Sequence, residues 1–265
     1  MHQGPPDRRA FFFAWDGGIS RAMSAAPENP YDSGLDDLVR RMDNDRWLAS
    51  RFVSDPAART DIVALIAFNY ELARVAGGVT SALMGEIRLT WWREAMEELA
   101  AGKPPRKHPA VEALAACGVD PTALAAMAEA RLSDLEEEPF ADEAAVLAYL
   151  DATAGALAGL MAQRLDSAAD AGAVRAAARA YGLAGLWRLK LAGRSRLPQA
   201  WTAADVEARV AQQRKVAAAE LKALPIAAFP AVAPAALAAR QVKGREMSEL
   251  EKKARLTWSV ATGRI

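Results

Sequence analysis

Three groups of side chains in this sequence have the types and spacing to do chemistry. Asn69, Glu71 and Arg74 fall close together, with Glu71 and Arg74 at the i,i+3 spacing of a helical ion pair. Such a pair is either a weak solvated interaction or part of a functional surface. Asn69 sits in an otherwise apolar stretch, where burial obliges it to find partners, through a structural polar contact or through specific hydrogen bonding inside a cavity. Arg88, Trp91, Trp92 and Arg93 combine cations with indoles, a composition suited to an anion or a protein partner. Trp91, one turn from Ile87, reads as core by periodicity, which leaves Arg88 and Trp92 as the recognition candidates. Arg188, Lys190, Arg194 and Arg196 form a basic run that could hold a phosphate, a lipid headgroup or an acidic partner without metal, or simply complement a helix C-terminal dipole. Glu136, Glu137 and Glu138 point in different directions on a helix and are assigned no site.

The gaps are as informative. No carboxylate occurs between Leu72 and Gly85, nor between Ala171 and Ala204. His2 and His108 are the only imidazoles and Cys117 the only thiol, which excludes an internal disulfide and a multi-cysteine metal site and gives no support to histidine metal sites or Ser-His-Asp catalysis. No cofactor is expected. Thirty-three basic and thirty-three acidic residues leave no global field, and with no motif behind it nucleic-acid binding is not supported. The longest uncharged run, from Lys222 to Arg240, is Ala-rich, interrupted by Pro225, Pro230 and Pro234, and shorter than the roughly 20 apolar residues a spanning helix needs.

These groups must be positioned by helices. Alanine and leucine dominate, alternating β-branched runs are scarce, and breakers separate helix-length blocks, so the fold class is all-α. Helices are expected from Ser33 or Asp36 to about Ser50, from Asp55-Pro56 to Gly77-Gly78, and from Thr80 or Ser81 to Ala101. Further ones are expected over Pro109 to Ala116, Pro121 to Glu138, Asp142 to Leu165, Asp170 to Ala192 and Thr202 to Ala223. A proline-punctuated connector then leads into a last helix ending near Ala261. The expected organisation is an extended or disordered segment over 1–30, one helical domain over 31–224, and the connector with the C-terminal helix over 225–265. At the N-terminus Arg8, Arg9 and Phe11 to Phe13 weakly suggest a signal peptide, but Trp15 and Asp16 interrupt the apolar patch; an upstream extension ahead of Met23 is the alternative.

The stretch Ala67-Phe68-Asn69-Tyr70-Glu71-Leu72-Ala73-Arg74-Val75, with Gly85-Glu86-Ile87-Arg88-Leu89-Thr90-Trp91-Trp92-Arg93-Glu94, resembles the squalene/phytoene synthase family. Tyr149, Thr153-Ala154-Gly155, Tyr181-Gly182-Leu183-Ala184 and Leu197-Pro198 follow in the order that family shows. The resemblance implies a helical bundle around a central apolar cavity. In the enzymes it implies head-to-head joining of two prenyl diphosphates by magnesium held on two DxxxD motifs, whose i,i+4 carboxylates converge on one helix face. Here the first motif is expected on Ala73 to Gly77 and the second on Leu186 to Arg194, where cations stand and carboxylates do not. An Arg or Lys cannot ligate magnesium and repels it.

The first block resembles most the non-enzymatic branch that contains a mitochondrial complex I assembly factor. The resemblance therefore implies a catalytically inactive protein that helps build respiratory complex I, binding one of its subunits, an isoprenoid or another lipid. Its expected place is the cytoplasm, with peripheral association at the inner face of the membrane. Two alternatives stay open: a divergent prenyl transferase, for which magnesium would be expected, with Arg74, Arg88, Arg188 and Lys190 as its diphosphate site, and an isoprenoid-binding protein.

Overall fold

A computed structural model of the chain describes residues 34–265; the expected N-terminal segment over 1–30 lies outside them. All regular structure in the described residues is helical. Local chemistry sets where most helices begin. Asp55 accepts hydrogen bonds from the backbone N–H groups of Ala57 and Ala58 and is followed by Pro56 at the first helical position, starting α3 (Pro56–Ala73). Ser81 caps α4 (Ala82–Ala100), His108 caps α5 (Pro109–Ala116) and Asp120 caps α6 (Pro121–Ala130). Asp142 caps α7 (Glu143–Leu150), and Thr202 with Asp205 forms a reciprocal capping box at the start of α10 (Ala203–Glu220).

Where the expected helices differ from the observed ones, a polar side chain or a special turn intervenes. The single helix expected up to Ser50 is two, α1 (Gly34–Met42) and α2 (Asn44–Ser50), because Asp43 leaves helical geometry and caps α2 through Arg46 N. The helix expected over 121–138 ends at Ala130 and tightens into a 3-10 turn, Arg131–Leu135. Between α7 and α8 (Ala156–Leu165) the chain makes one wide π-turn, Asp151–Gly155. The helix expected from Asp170 starts at α9 (Arg175–Leu191), since Asp166 and Asp170 each fold back onto the backbone N–H two residues on. The connector is a pair of 3-10 segments, Ile226–Ala231 and Ala233–Leu237, leading into α11 (Ala238–Val242) and then α12 (Glu249–Thr262).

The bundle is built round α3, which is buried without interruption from Ile62 to Phe68 and so is covered on all sides. It packs on α1, α5 and α8, while α4 lies along α6 and α9 along α10 and α11. Phe229, Val232, Leu237 and Leu256 from the connector and α12 enter the same core as Phe68 and Met161. A smaller apolar cluster joins α7, α9, α10 and α11 through Leu150, Leu183, Trp187, Val210 and Val242. The continuous helical stretch Glu143–Leu165 is long and apolar enough to cross a membrane by length and composition. Its Val146, Leu150, Leu157 and Met161 are spent on these two clusters, which makes it a core element.

Candidate functional site

The C-terminal end of α3, the N-terminal half of α4 and the end of α9 meet at one end of the bundle. There α3 stops after Ala73, and a 3-10 turn, Ala76–Gly78, carries the chain round. Glu71, only 4% exposed, accepts from Arg74 Nε at 2.9 Å, while its Oε1 is buried without a hydrogen-bond donor. Arg88 reaches back from α4 so that its Nη1 donates to the Gly78 carbonyl at 3.1 Å. Arg194, just beyond α9, lies across Gly77 so closely that a Cβ on Gly77 would collide with its Nη2. Three guanidinium groups, those of Arg74, Arg88 and Arg194, therefore surround the turn where the first aspartate motif is expected.

The other two cations of the expected diphosphate site behave differently. Lys190 Nζ donates to the carbonyls of Pro198, Gln199 and Trp201 at 2.7, 3.0 and 2.9 Å. An ammonium has three N–H donors, so all of them go to closing the loop between α9 and α10. Arg188 is half-buried beside Tyr181. The structure brings Arg74 and Arg88 together, adds Arg194, and gives Lys190 a different task.

Asn69 and Trp92 point into the protein. Asn69 Oδ1 accepts from Arg131 Nη2 at 3.0 Å, and Arg131 Nη1 reaches both Asp134 Oδ2 at 3.1 Å and the Tyr149 hydroxyl at 2.9 Å. Tyr149 in turn donates to Asp134 Oδ1 at 2.7 Å. Burial pushes the Tyr149 phenol well above its ordinary range, so it remains the donor of this ring. Trp92 is 5% exposed and packs edge-on against Phe68, Trp91 and His108, with centroids 5.6, 5.0 and 4.7 Å away. Trp91, expected as the core indole, is the outer of the two and lies under Arg106.

Sequence reasoning missed a second buried polar cluster. Asp45 on α2 is 4% exposed; its Oδ2 accepts from Gln241 Nε2 at 2.7 Å and from the Tyr181 hydroxyl at 3.2 Å, and Lys252 Nζ lies 2.8 Å from Oδ1. Arg46 stacks on the Tyr181 ring at 4.8 Å and pairs with Asp43 at 2.6 Å. Burial lowers the Arg46 pKa, but Asp43 and Tyr181 outweigh it and hold the guanidinium charged. No spacing signal could have found this set, whose members come from α2, α9, α11 and α12. The interior space beside it, lined by Arg46, Ala158, Met161, Tyr181, Val232 and Pro234, amounts to about 10 Å³, room for one water molecule.

The described residues at this turn do not fit magnesium. Among the described residues no three His, Cys, Asp or Glu side chains gather closely enough to hold a metal ion. Ala73 and Gly77 offer no oxygen ligand from a side chain, Glu71 is engaged by Arg74, and the groups at the turn are positively charged.

The sequence model of the family described as Squalene/phytoene synthase matches residues 39–225, well over half of the chain. The chain belongs to the squalene/phytoene synthase family. Solved structures agree on the fold: a dehydrosqualene synthase in complex with ligand superposes with a TM-score of 0.64 at 13% identity over 86% of this chain and 94% of that one. The squalene synthase HpnC from Alicyclobacillus acidocaldarius gives a TM-score of 0.57 at 18% identity over 86% and 92%. Among curated proteins, the NADH dehydrogenase (ubiquinone) complex I, assembly factor 6 of Homo sapiens is 32% identical over 99 residues, 36% of this chain and 29% of that protein. The Rattus norvegicus protein of the same name is 34% identical over 76 residues, 29% of this chain and 22% of its own length. The chain thus spans less than a third of the curated relatives it matches.

Proposed function

We propose that this member of the squalene/phytoene synthase family is non-catalytic, its two aspartate motifs lost, and that it acts in the assembly of respiratory complex I. The observation that carries the reading is the turn at Ala73 to Gly78: where the family's enzymes are expected to hold magnesium, this chain sets Arg74, Arg88 and Arg194 around residues without carboxylates. Ionising a diphosphate requires dispersal of several negative charges, and divalent metal supplies that in the family's chemistry. Cations could bind a diphosphate, but Lys190, one of the four of the alternative site, is committed to three carbonyls. The relatives named as complex I assembly factors support the biological setting.

On this reading the protein needs no cofactor and works at the cytoplasmic face of the respiratory membrane, through a complex I subunit, a lipid surface, or both. Of the candidate residues, Arg74 and Arg88 belong to the recognition end, with Glu71 holding Arg74 in place. Asn69, Trp92 and Lys190 serve the framework, and Arg188 supports the Tyr181 region. The test is twofold: deletion of the gene should lower assembled complex I on native gels, with other respiratory complexes unchanged. The purified protein given farnesyl diphosphate and magnesium should release no diphosphate; release at an enzymatic rate would overturn the non-catalytic reading.

A further inference from the structure

Arg214 on α10 is half-buried, its Nε is closed off from solvent, and among the described residues it makes neither a hydrogen bond nor an ion pair. Other half-buried guanidinium groups in the bundle are paired with carboxylates: Arg164 with Asp61, Arg179 with Asp151 and Arg209 with Glu143. Arg214 instead faces a second cation. Burial lowers its pKa, and Arg255 on α12, near enough to act on it, lowers it further. Arg255 Nε in turn lies 3.1 Å from Glu251 Oε1, and Arg240 Nη1 on α11 lies 3.6 Å from the same oxygen. The three guanidinium groups thus have one carboxylate among them, which leaves an excess of two positive charges. Arg240, Glu251 and Arg255 keep 31%, 29% and 33% of their side chains exposed, so a solute can reach the cluster.

The other carboxylates of these helices are engaged elsewhere. Asp205 caps the start of α10, Glu207 binds Lys243 at 2.8 Å, and Glu249 binds Lys253 at 2.7 Å. Glu220 acts on Arg179 of α9, and Glu246 precedes the start of α12, more than a turn from Arg255. Neither they nor Glu251 act on Arg214, whose pKa is moved by burial and by Arg255. Two like charges in a half-dry setting repel each other, and a buried donor without an acceptor stays desolvated. An oxyanion between the two guanidinium groups relieves both, since each presents a planar fork of N–H donors matched to phosphate oxygens. A phosphate monoester carries about −1.5 to −2 charges at neutral pH and matches the excess present here, whereas a carboxylate carries half of that.

We propose that Arg214 and Arg255, with Arg240 joined to Arg255 through Glu251, form a binding site for a phosphate group, whether free phosphate or the phosphomonoester headgroup of a lipid. The site is built from α10, α11 and α12, none of which contributes to the turn at Ala73 to Gly78, and it does not rest on the assembly reading.

The test is calorimetric titration of the full chain, in phosphate-free buffer, with inorganic phosphate, with acetate and with soluble dihexanoyl phosphatidic acid. The wild-type protein should bind phosphate with a Kd of about 1 mM or below, and acetate at least about tenfold more weakly. Arg214→Gln and Arg255→Gln should each weaken phosphate binding about tenfold or more, by loss of a charge-assisted hydrogen-bonding group. Glu251→Gln should tighten it about threefold, because it removes the one negative charge beside the site. Lys215→Gln, which removes an exposed cation one residue further on, should change nothing. Urea titration separates binding from folding: without phosphate Arg214→Gln should be at least as stable as the wild type, since it removes an unpaired cation. Phosphate should raise the urea midpoint of the wild type and leave that of the variant where it is. Phosphatidic acid that binds no tighter than phosphate would assign the site to the free anion, and tighter binding lost in the same variants would assign it to a lipid headgroup; either outcome upholds the proposal. Binding of neither up to about 10 mM, acetate as tight as phosphate, or wild-type affinity in both arginine variants would overturn it.

Discussion

The guanidinium of Arg194 lies against the α-carbon of Gly77, joining the end of α9 to the turn after α3. A methyl group at position 77 would meet only the far end of that flexible, exposed side chain, which can swing aside. Gly77→Ala should therefore change unfolding stability by less than about 1 kcal/mol. Gly85→Ala is the contrast: its Cβ would run into the Leu135 side chain packed on the buried face of α4. It should cost about 1–3 kcal/mol by overpacking. Urea titration of both variants checks the pair, and equal destabilisation would contradict the placement of Arg194.

The ring formed by Asn69, Arg131, Asp134 and Tyr149 is a buried network whose four bonds each depend on one guanidinium or one carboxylate. Arg131→Met leaves Asp134 Oδ2 and Asn69 Oδ1 without their donor and should destabilise by about 3–5 kcal/mol. Asn69→Ala removes a single acceptor and should cost about 1–3 kcal/mol. The double variant should fall short of the sum, because once Arg131 is gone Asn69 has little left to lose. Strict additivity in a double-mutant cycle would show that the two side chains do not couple.

These residues also show where the sequence was readable. Asp55-Pro56, Asp142 and the Thr202/Asp205 box announce helix starts because a cap is a bond between near neighbours. Asp43 is just as local, yet it sits among Asp36, Asp37 and Asp45, and nothing in composition says which aspartate turns inward to cap. Arg131 and Asn69 are separated by 62 positions, beyond the reach of any periodicity. Trp91 and Trp92 differ by one residue, about 100° round the helix, so a small error in the buried stripe exchanges their roles. The missing carboxylates were visible from the start, but that Arg194 crosses to Gly77 follows only from how α3 and α9 end together.

Cys117 should be inert. Its thiol is 3% exposed, lies 3.2 Å from the Ala113 carbonyl, and is pushed from an ordinary value of 9.0 up to about 12, first by burial and then by Asp61. The thiolate is the reactive species, so the native protein at neutral pH should resist thiol reagents and react only when denaturant opens the core. The raised value also sets an alkaline limit: the unfolded thiol ionises first, and stability falls as pH rises from about 9 towards about 12. Rapid labelling of the folded protein would contradict the burial of this side chain.

His108 should give the fold an acid-sensitive joint. Its Nδ1 accepts the Ala110 N–H at 3.2 Å to cap α5, and its ring packs on Trp92. Burial, aided by Arg74 and opposed by Glu71 and Glu112, lowers its pKa below the ordinary 6.5. As pH falls, the unfolded chain takes up the proton before the folded one does, so the contribution of His108 is complete above about 6.5 and is lost progressively below it. Protonation also turns the capping nitrogen from acceptor to donor, which removes the bond to Ala110. His108→Asn keeps a side-chain acceptor at the cap and cannot titrate in this range. Urea midpoints measured from pH 8 to pH 5 should therefore fall more steeply for the wild type than for the variant, with the difference opening below about pH 6.5. Parallel curves would mean that His108 is solvated and does not bear on α5.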